Sequence, residues 1–138
     1  MILNFRDKRL RLPNESVADD EMEDLSNKLM EVFTRARDAV GLAAPQIGIN
    51  KQAFVYASAN GPKIMFNPLI LERYGRVTES EGCLSVPKLR KNVARAAMIV
   101  IQYEDHTGKV CLETLKDFEA RICQHECDHL KGKLILDK

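Results

Sequence analysis

The residues best equipped for chemistry in this chain lie in one short stretch, Gln124-His125-Glu126-Cys127-Asp128-His129. On a helix, side chains at i and i+4 share one face, roughly 40° apart around the axis and about 6 Å along it. His125 and His129 can therefore grip one metal ion together. Glu126 sits about 100° from His125 and about 60° from His129 on the same wheel. It flanks a metal without being forced to ligate it, which is where a general base for metal-bound water belongs. Taken alone, the pattern is equally consistent with a helix that merely buries two histidines.

Two histidines leave a catalytic metal one protein ligand short. The candidates are Cys83, Cys111, Cys123, Cys127, His106 and the carboxylates. The wheel turns Cys123 about 160° from His125, and Cys127 about 160° from His129. Both read as small apolar packing residues on the far side of the helix. His106, in the turn signal His106-Thr107-Gly108, reads as an exposed loop histidine. Cys111, between Val110 and Leu112, fits a buried strand cysteine. Cys83 lies in Glu81-Gly82-Cys83-Leu84-Ser85-Val86-Pro87, where Gly82 permits close backbone approach. Spacing alone does not separate it from another buried strand cysteine.

These residues need elements to carry them. Asp19 to Val40 follows a helical pattern, with Met22, Leu25, Leu29, Val32, Phe33 and Ala36 at three- and four-residue steps. Asp20 with Glu23 resembles a capping box, and Gly41 is expected to end the helix. Gln52–Ala59 reads as a strand, Asn60-Gly61 as a hairpin turn and Lys63–Asn67 as the returning strand. Pro68 predicts an edge or a strand end. Further strands are expected at Leu69–Tyr74, Val77–Leu84, Val93–Tyr103 and Lys109–Leu115. The motif helix should run from about Asp117 to Leu130 with Gly132 at its C-cap. Leu134-Ile135-Leu136 would close as a short strand. Residues before Val17 read as irregular. The fold class expected is α+β: mostly antiparallel sheets packed around a C-terminal metal-binding helix, with one N-terminal helix.

Composition sets the frame. With 138 residues, one domain spanning 1–138 is expected, large enough for a real core. A net charge of +1 points neither to direct nucleic-acid binding nor to an anionic membrane. No apolar run approaches the roughly 20 residues of a membrane span. The opening residues lack the apolar segment of a signal peptide, so a cytoplasmic protein is expected. Four cysteines in such a chain suggest thiols or metal ligands before disulfides.

Three segments together resemble the peptide deformylase family: Gly41-Leu42-Ala43-Ala44-Pro45-Gln46-Ile47-Gly48, then Glu81-Gly82-Cys83-Leu84-Ser85, then Gln124-His125-Glu126-Cys127-Asp128-His129-Leu130. The order and spacing carry the resemblance across nearly the whole chain. It implies that Cys83, His125 and His129 bind one divalent ion per chain, with water as fourth ligand. Fe(II) would be the native ion, and Zn(II) or Ni(II) could occupy the site. The implied reaction removes the formyl group from the N-terminal formylmethionine of newly made polypeptides and releases formate. Metal-bound water would attack the formyl carbon with Glu126 as general acid and base. The Gln46 amide and the Leu84 N–H would receive the charge developing on the formyl oxygen. Without the motif, Gln46 would read as a surface glutamine after Pro45.

The resemblance also implies support for the site from Glu81 and Arg95, which otherwise read as an ordinary salt bridge. Asp128 would orient a ligand through a hydrogen bond or else be a solvated helix charge. Ile122 and Val40 would wall a methionine pocket, while Phe118 reads as plain core. Peptide backbone would pair with strand-like edges at Gly41 and Gly82. Arg90 would sit near the pocket mouth, facing substrate backbone or formate. The implied partners are nascent formylmethionyl peptides at the ribosome, met by a monomer. The setting would be a bacterial cytoplasm or a phage-infected one, with an organellar setting left open.

Two features depart from the family pattern. Ala39-Val40-Gly41 stands where the family usually has Gly-x-Gly; a positive φ at the first position would strain Ala39. The chain also stops soon after His129, where many bacterial relatives continue into a further helix, so a compact variant of the phage or organellar kind is expected. The rival readings are a zinc peptidase, disfavoured by a thiolate third ligand, and a structural-zinc module. The latter needs neither a base nor an oxyanion donor.

Overall fold

The computed structural model describes all of residues 1–138. Helix α1, Met22–Arg35, buries Met22, Leu25, Leu29 and Phe33, the stripe that the three- and four-residue steps predicted. Its entry differs from the predicted box. A 3-10 turn at Asp19–Glu21 precedes it, and the Glu21 carboxylate accepts the Ala18 N–H at 2.9 Å. The helix stops at Arg35, short of the expected Val40. Ala36 is extended, and Asp38 takes a left-handed φ of 60°. The reason lies downstream: Gly41 does not end a helix but opens strand β1, Gly41–Ala43. The chain must straighten before it can pair.

Strand β1 pairs with β2, Ala53–Ser58, which returns through Asn60-Gly61 into β3, Gly61–Tyr74. The two strands expected at Lys63–Asn67 and Leu69–Tyr74 are therefore one, and Pro68 lies inside a strand flanked on both sides. A register shift between Phe66 and Leu69 removes Pro68 from the ladder, where its missing N–H costs nothing. Asn67 takes the left-handed turn there, φ 49°, and its side chain bonds both the N–H and the carbonyl of Val17.

The expected strand Val93–Tyr103 is also corrected, because it divides. Its first part ends β5, Val86–Arg95, which pairs with β4, Val77–Cys83, in a separate two-stranded hairpin. Its second part is β6, Met98–Glu104, which pairs with β3 and with β7, Val110–Lys116. The break at Ala96 is fixed from outside: the Gln124 side chain takes the Ala96 N–H at 3.0 Å and donates to its carbonyl at 2.9 Å. The larger sheet runs β1-β2-β3-β6-β7, all antiparallel. β7 closes one rim, with Val110 and Leu112 exposed and exposed lysines at Lys109 and Lys116.

Helix α2, Asp117–Leu130, packs on this sheet. Ala120, Ile122, Cys123, Cys127 and Leu130 join Phe54, Tyr56, Met65, Ile99 and Ile101 in the main core. Cys123 and Cys127 are thus packing residues, as the wheel predicted. Gly132, φ 73°, ends the helix: its N–H bonds the His129 carbonyl and the Lys133 N–H bonds that of Asp128. Arg11 and Asn14 from the N-terminal segment cap the carbonyls of Gly132 and Leu130 at 2.9 and 2.8 Å. The segment expected as a final strand is a 3-10 turn, Ile135–Asp137. Asp137 folds back on the Leu134 N–H and pairs with Arg11. Residues Lys8–Arg11 likewise form a 3-10 turn where irregular chain was expected. No helix is long and apolar enough to cross a membrane.

Candidate metal centre

Helix α2 presents His125 and His129 on one face, with ring centroids 5.0 Å apart. The end of β4 brings Cys83 to the same point. One donor atom from each of the three lies within 4.8 Å of the others, and Cys83 Sγ is 3.3 Å from His129 Nε2. A thiol and two imidazoles suit a divalent transition ion and leave a coordination position open. Two buried polar atoms beside them, Glu126 Oε1 and His129 Nδ1, have no partner within the chain. The donor set and the free carboxylate oxygen fit such an ion with a water beside it. His106 is exposed in its turn, and Cys111 sits on β7, both away from the cluster.

The surroundings tune these groups in opposite directions. Burial pushes the Glu126 carboxyl up to about 7. Burial holds His129 well below the usual imidazole value, so it is neutral and free to ligate. Burial opposes charge on His125 too, but bonding to Cys83 and Glu81 outweighs it and raises that imidazole to about 10. His125 Nδ1 lies 2.9 Å from Glu81 Oε1, so Nε2 is the nitrogen that faces the cluster, and a metal bound there would take the place of its proton. Burial works against ionising Glu81, but Arg95 and His125 hold its carboxyl well below the usual range.

Gln46 is 1% exposed, not a surface residue. Its Oε1 accepts the Ala43 N–H at 2.9 Å, which fixes the amide. Its Nε2 then donates to Ser85 Oγ at 3.1 Å and points toward Cys83 Sγ at 3.7 Å. Leu84 sits in the tight turn between β4 and β5, and its N–H donates to no carbonyl of the chain.

A cavity of about 620 Å³ opens above these groups, lined by Val40, Gly41, Gly82, Arg90, Ile122 and Glu126 among others. Gly41 lets Glu126 lie close to the backbone: a Cβ would lie 2.4 Å from Glu126 Oε2, so the carboxylate would have to shift. Arg90 lies over Gly82 and is held by the hydroxyl and carbonyl of Ser80 at 2.9 and 3.1 Å. Val40 stands half-exposed at the rim and Ile122 is buried in the wall. Phe118, expected in the core, is 58% exposed and lines the cavity instead. The helix begins beside the opening, so its first turn faces solvent. Ala39 has no positive φ; that conformation falls one residue earlier, on Asp38, a residue type that tolerates it.

Asp128 touches neither histidine. It accepts from Arg95 at 2.5 Å and pairs with Lys138 at 3.1 Å, so it reaches the site only through Arg95 and Glu81. The sequence reading passed over Arg121, which is buried and bonds Glu81 Oε2 at 2.5 Å. Its place one turn before His125, on the same helix face, was the available signal.

Comparison with known proteins agrees with this geometry. The family model described as polypeptide deformylase matches residues 1–138. A peptide deformylase of Nitrosococcus oceani is 37% identical over 141 aligned residues, covering 99% of this chain and 84% of the relative. The crystal structure of the Thermotoga maritima peptide deformylase superposes with a TM-score of 0.94 at 37% identity, over 100% of this chain and 95% of the other. A class I type b peptide deformylase from Acinetobacter baumannii, solved with Met-Ala-Ser bound, superposes with a TM-score of 0.91 at 31% identity, over 99% and 96%. With the model match running the full length and the fold shared throughout, the chain belongs to the polypeptide deformylase family.

Proposed function

We propose that this chain, as one catalytic unit over residues 1–138, hydrolyses the formyl group from the N-terminal formylmethionine of nascent peptides. The observation that carries the reading is the convergence of Cys83, His125 and His129 beneath a cavity that also holds Glu126 and the amide of Gln46. The Acinetobacter relative with Met-Ala-Ser bound supports a peptide with N-terminal methionine as the occupant.

Cys83, His125 and His129 are the proposed ligands of one divalent ion, Fe(II) as the native metal, with Zn(II) or Ni(II) as alternatives. When bound, the ion supplies positive charge that acidifies water and polarises the formyl carbonyl. Glu126, buried and shifted toward neutrality, takes the proton of the attacking water and later gives it to the departing amine. Gln46 and the Leu84 N–H are the donors for the oxygen that gains charge; one such donor is worth about 3–4 kcal/mol in the transition state. The free rims of β1 at Gly41 and of β4 at Gly82 take the peptide backbone as an added strand. Ile122 and Val40 contact the methionine side chain, and Arg90 faces the backbone further out. Glu81, Arg95 and Asp128 hold His125 in place from behind.

The testing measurement is formate release from formyl-Met-Ala-Ser by anaerobically purified, iron-loaded protein beside a chelated control. Metal-dependent release is expected. No release from protein carrying one tightly bound metal would overturn the assignment, and cleavage of unformylated peptides would favour a peptidase.

A further inference from the structure

The three metal donors belong to two bodies. Cys83 rides on the β4–β5 hairpin, which shares no backbone ladder with the five-stranded sheet. His125 and His129 ride on α2, which packs into that sheet. The Phe5 N–H bonds the Ser85 carbonyl at the hairpin turn, but no main-chain bond joins hairpin and helix, so side chains must set the distance between thiol and imidazoles.

Arg121 spans that gap. From α2 its Nη1 donates to Glu81 Oε2 on β4 at 2.5 Å and to the Val93 carbonyl on β5 at 2.9 Å. Its Nη2 donates to the Val77 carbonyl at the start of β4 at 2.7 Å. Three points on the hairpin are thus tied to one planar group. Glu81 completes the link: its Oε1 meets His125 Nδ1 and Arg95 Nη2, and its Oε2 meets Arg95 Nε and Arg121 Nη1. Four contacts fill the capacity of the carboxylate, so it cannot pivot. Arg95 braces the opposite way, from the hairpin to Asp128 on the helix.

We propose that Arg121 is a positioning residue for the metal site, a strut that holds the Cys83 hairpin in register with His125 through Glu81. This rests on the reading of Cys83, His125 and His129 as metal donors. Geometry rather than charge is the operative property. A second cation near a metal ion repels it, so an electrostatic role alone predicts that removing Arg121 tightens metal binding. A strut predicts the reverse. Lysine keeps the charge but offers a point donor in place of a rigid fork.

The test uses Co(II) as probe, loaded into wild type, Arg121→Lys and Arg121→Met. Measured are the rate of cobalt loss to excess chelator, the visible spectrum and the melting of the metal-free protein. Loss of a group that orients a ligand typically costs 10–100-fold in metal affinity. Both variants should release cobalt 10–100-fold faster, with altered ligand-field bands, while the metal-free fold still melts cooperatively. If the methionine variant does not fold, the lysine variant carries the test. Wild-type release rates in a variant with only a lowered melting temperature would overturn the strut, as would tighter binding in Arg121→Met or a lysine variant that matches wild type. A wild type that takes up no cobalt would remove the metal reading itself.

Discussion

Helix α2 and the β4–β5 hairpin both deliver residues to the candidate metal centre, yet they are held by different forces. The helix is fixed by apolar burial against Phe54, Tyr56, Met65 and Ile101. The hairpin is largely exposed, with only a small apolar contact among Val86, Val93 and Ile135. Two ion pairs tie it to the helix, Arg121 on Glu81 and Arg95 on Asp128, while Arg95 on Glu81 stiffens the hairpin itself. Close-packed apolar contact holds the helix without directional bonds, whereas a filled hydrogen-bond network fixes donor–acceptor directions as well as distances. A site that needs a thiolate at a set distance from two imidazoles gains from having one body anchored and the other strutted.

The strongest challenge to this contrast is Glu126→Gln. If packing alone places the helix, this variant keeps the metal and the fold and loses kcat on a formylated peptide by about a thousandfold, within the range for a general acid–base. Loss of bound metal, read by elemental analysis, would show that the helix too depends on its polar groups. Next in size is Glu81→Ala, which leaves two buried guanidinium groups without their carboxylate. Breaking such a network by removing one partner costs about 3 kcal/mol or more, read in denaturant melts, and metal should be lost with it. Leu130→Ala tests the apolar side. It should cost about 2 kcal/mol or more while the folded fraction binds metal as wild type does; a matching drop in metal affinity would erase the distinction.

Smaller effects sharpen it. Gly41→Ala puts a methyl group against Glu126. A displaced base should lower kcat about tenfold with the melting temperature nearly unchanged, and full activity would mean that Glu126 has other room. Asp137→Asn probes the outer tie. Hydrogen bonding from Arg11 holds the Asp137 carboxyl below its usual range. Its stabilisation is present above the ordinary carboxylate pKa and disappears as pH falls through the lowered value. The pair is well exposed, so Asn should cost less than about 1 kcal/mol at neutral pH. The difference from wild type should vanish in strong acid, and a pH-independent difference would exclude the ion pair.

Much of the site was legible because its parts are local. His125, Glu126 and His129 follow from one helical turn, and Gly132 from the need to end that helix. The three motifs named the family, and Gln46 and Cys83 with it. What escaped the sequence depends on contacts distant along the chain. Pro68 argues against an inner strand unless one knows that the ladder shifts at Phe66, and that depends on where β6 lies. Residues 93–103 hold no Gly or Pro to mark a boundary, only the weak strand formers Ala94, Ala96 and Ala97; the break at Ala96 is fixed by Gln124, on another element. Arg121 resembles any solvated helix arginine until Val77, Glu81 and Val93 are placed around it. Phe118 has the periodicity of the core but occupies the first turn, beside an opening that periodicity does not record.

The five-stranded sheet ends in two rims with the same unsatisfied backbone chemistry. At β1 a glycine and the cavity adjoin the rim that the proposed function gives to a peptide. At β7, Val110 and Leu112 face outward between Lys109 and Lys116. Strand rims of this kind recruit one another unless charge intervenes, and surface charge is screened within about 8 Å at physiological ionic strength and less in stronger salt. Lys109 and Lys116, flanking β7, set like charge at that rim and so disfavour its pairing with a second copy. On the proposed function, one rim would take a peptide strand while charge disfavours self-pairing at the other, and concentrated, salty solutions are where that protection is thinnest.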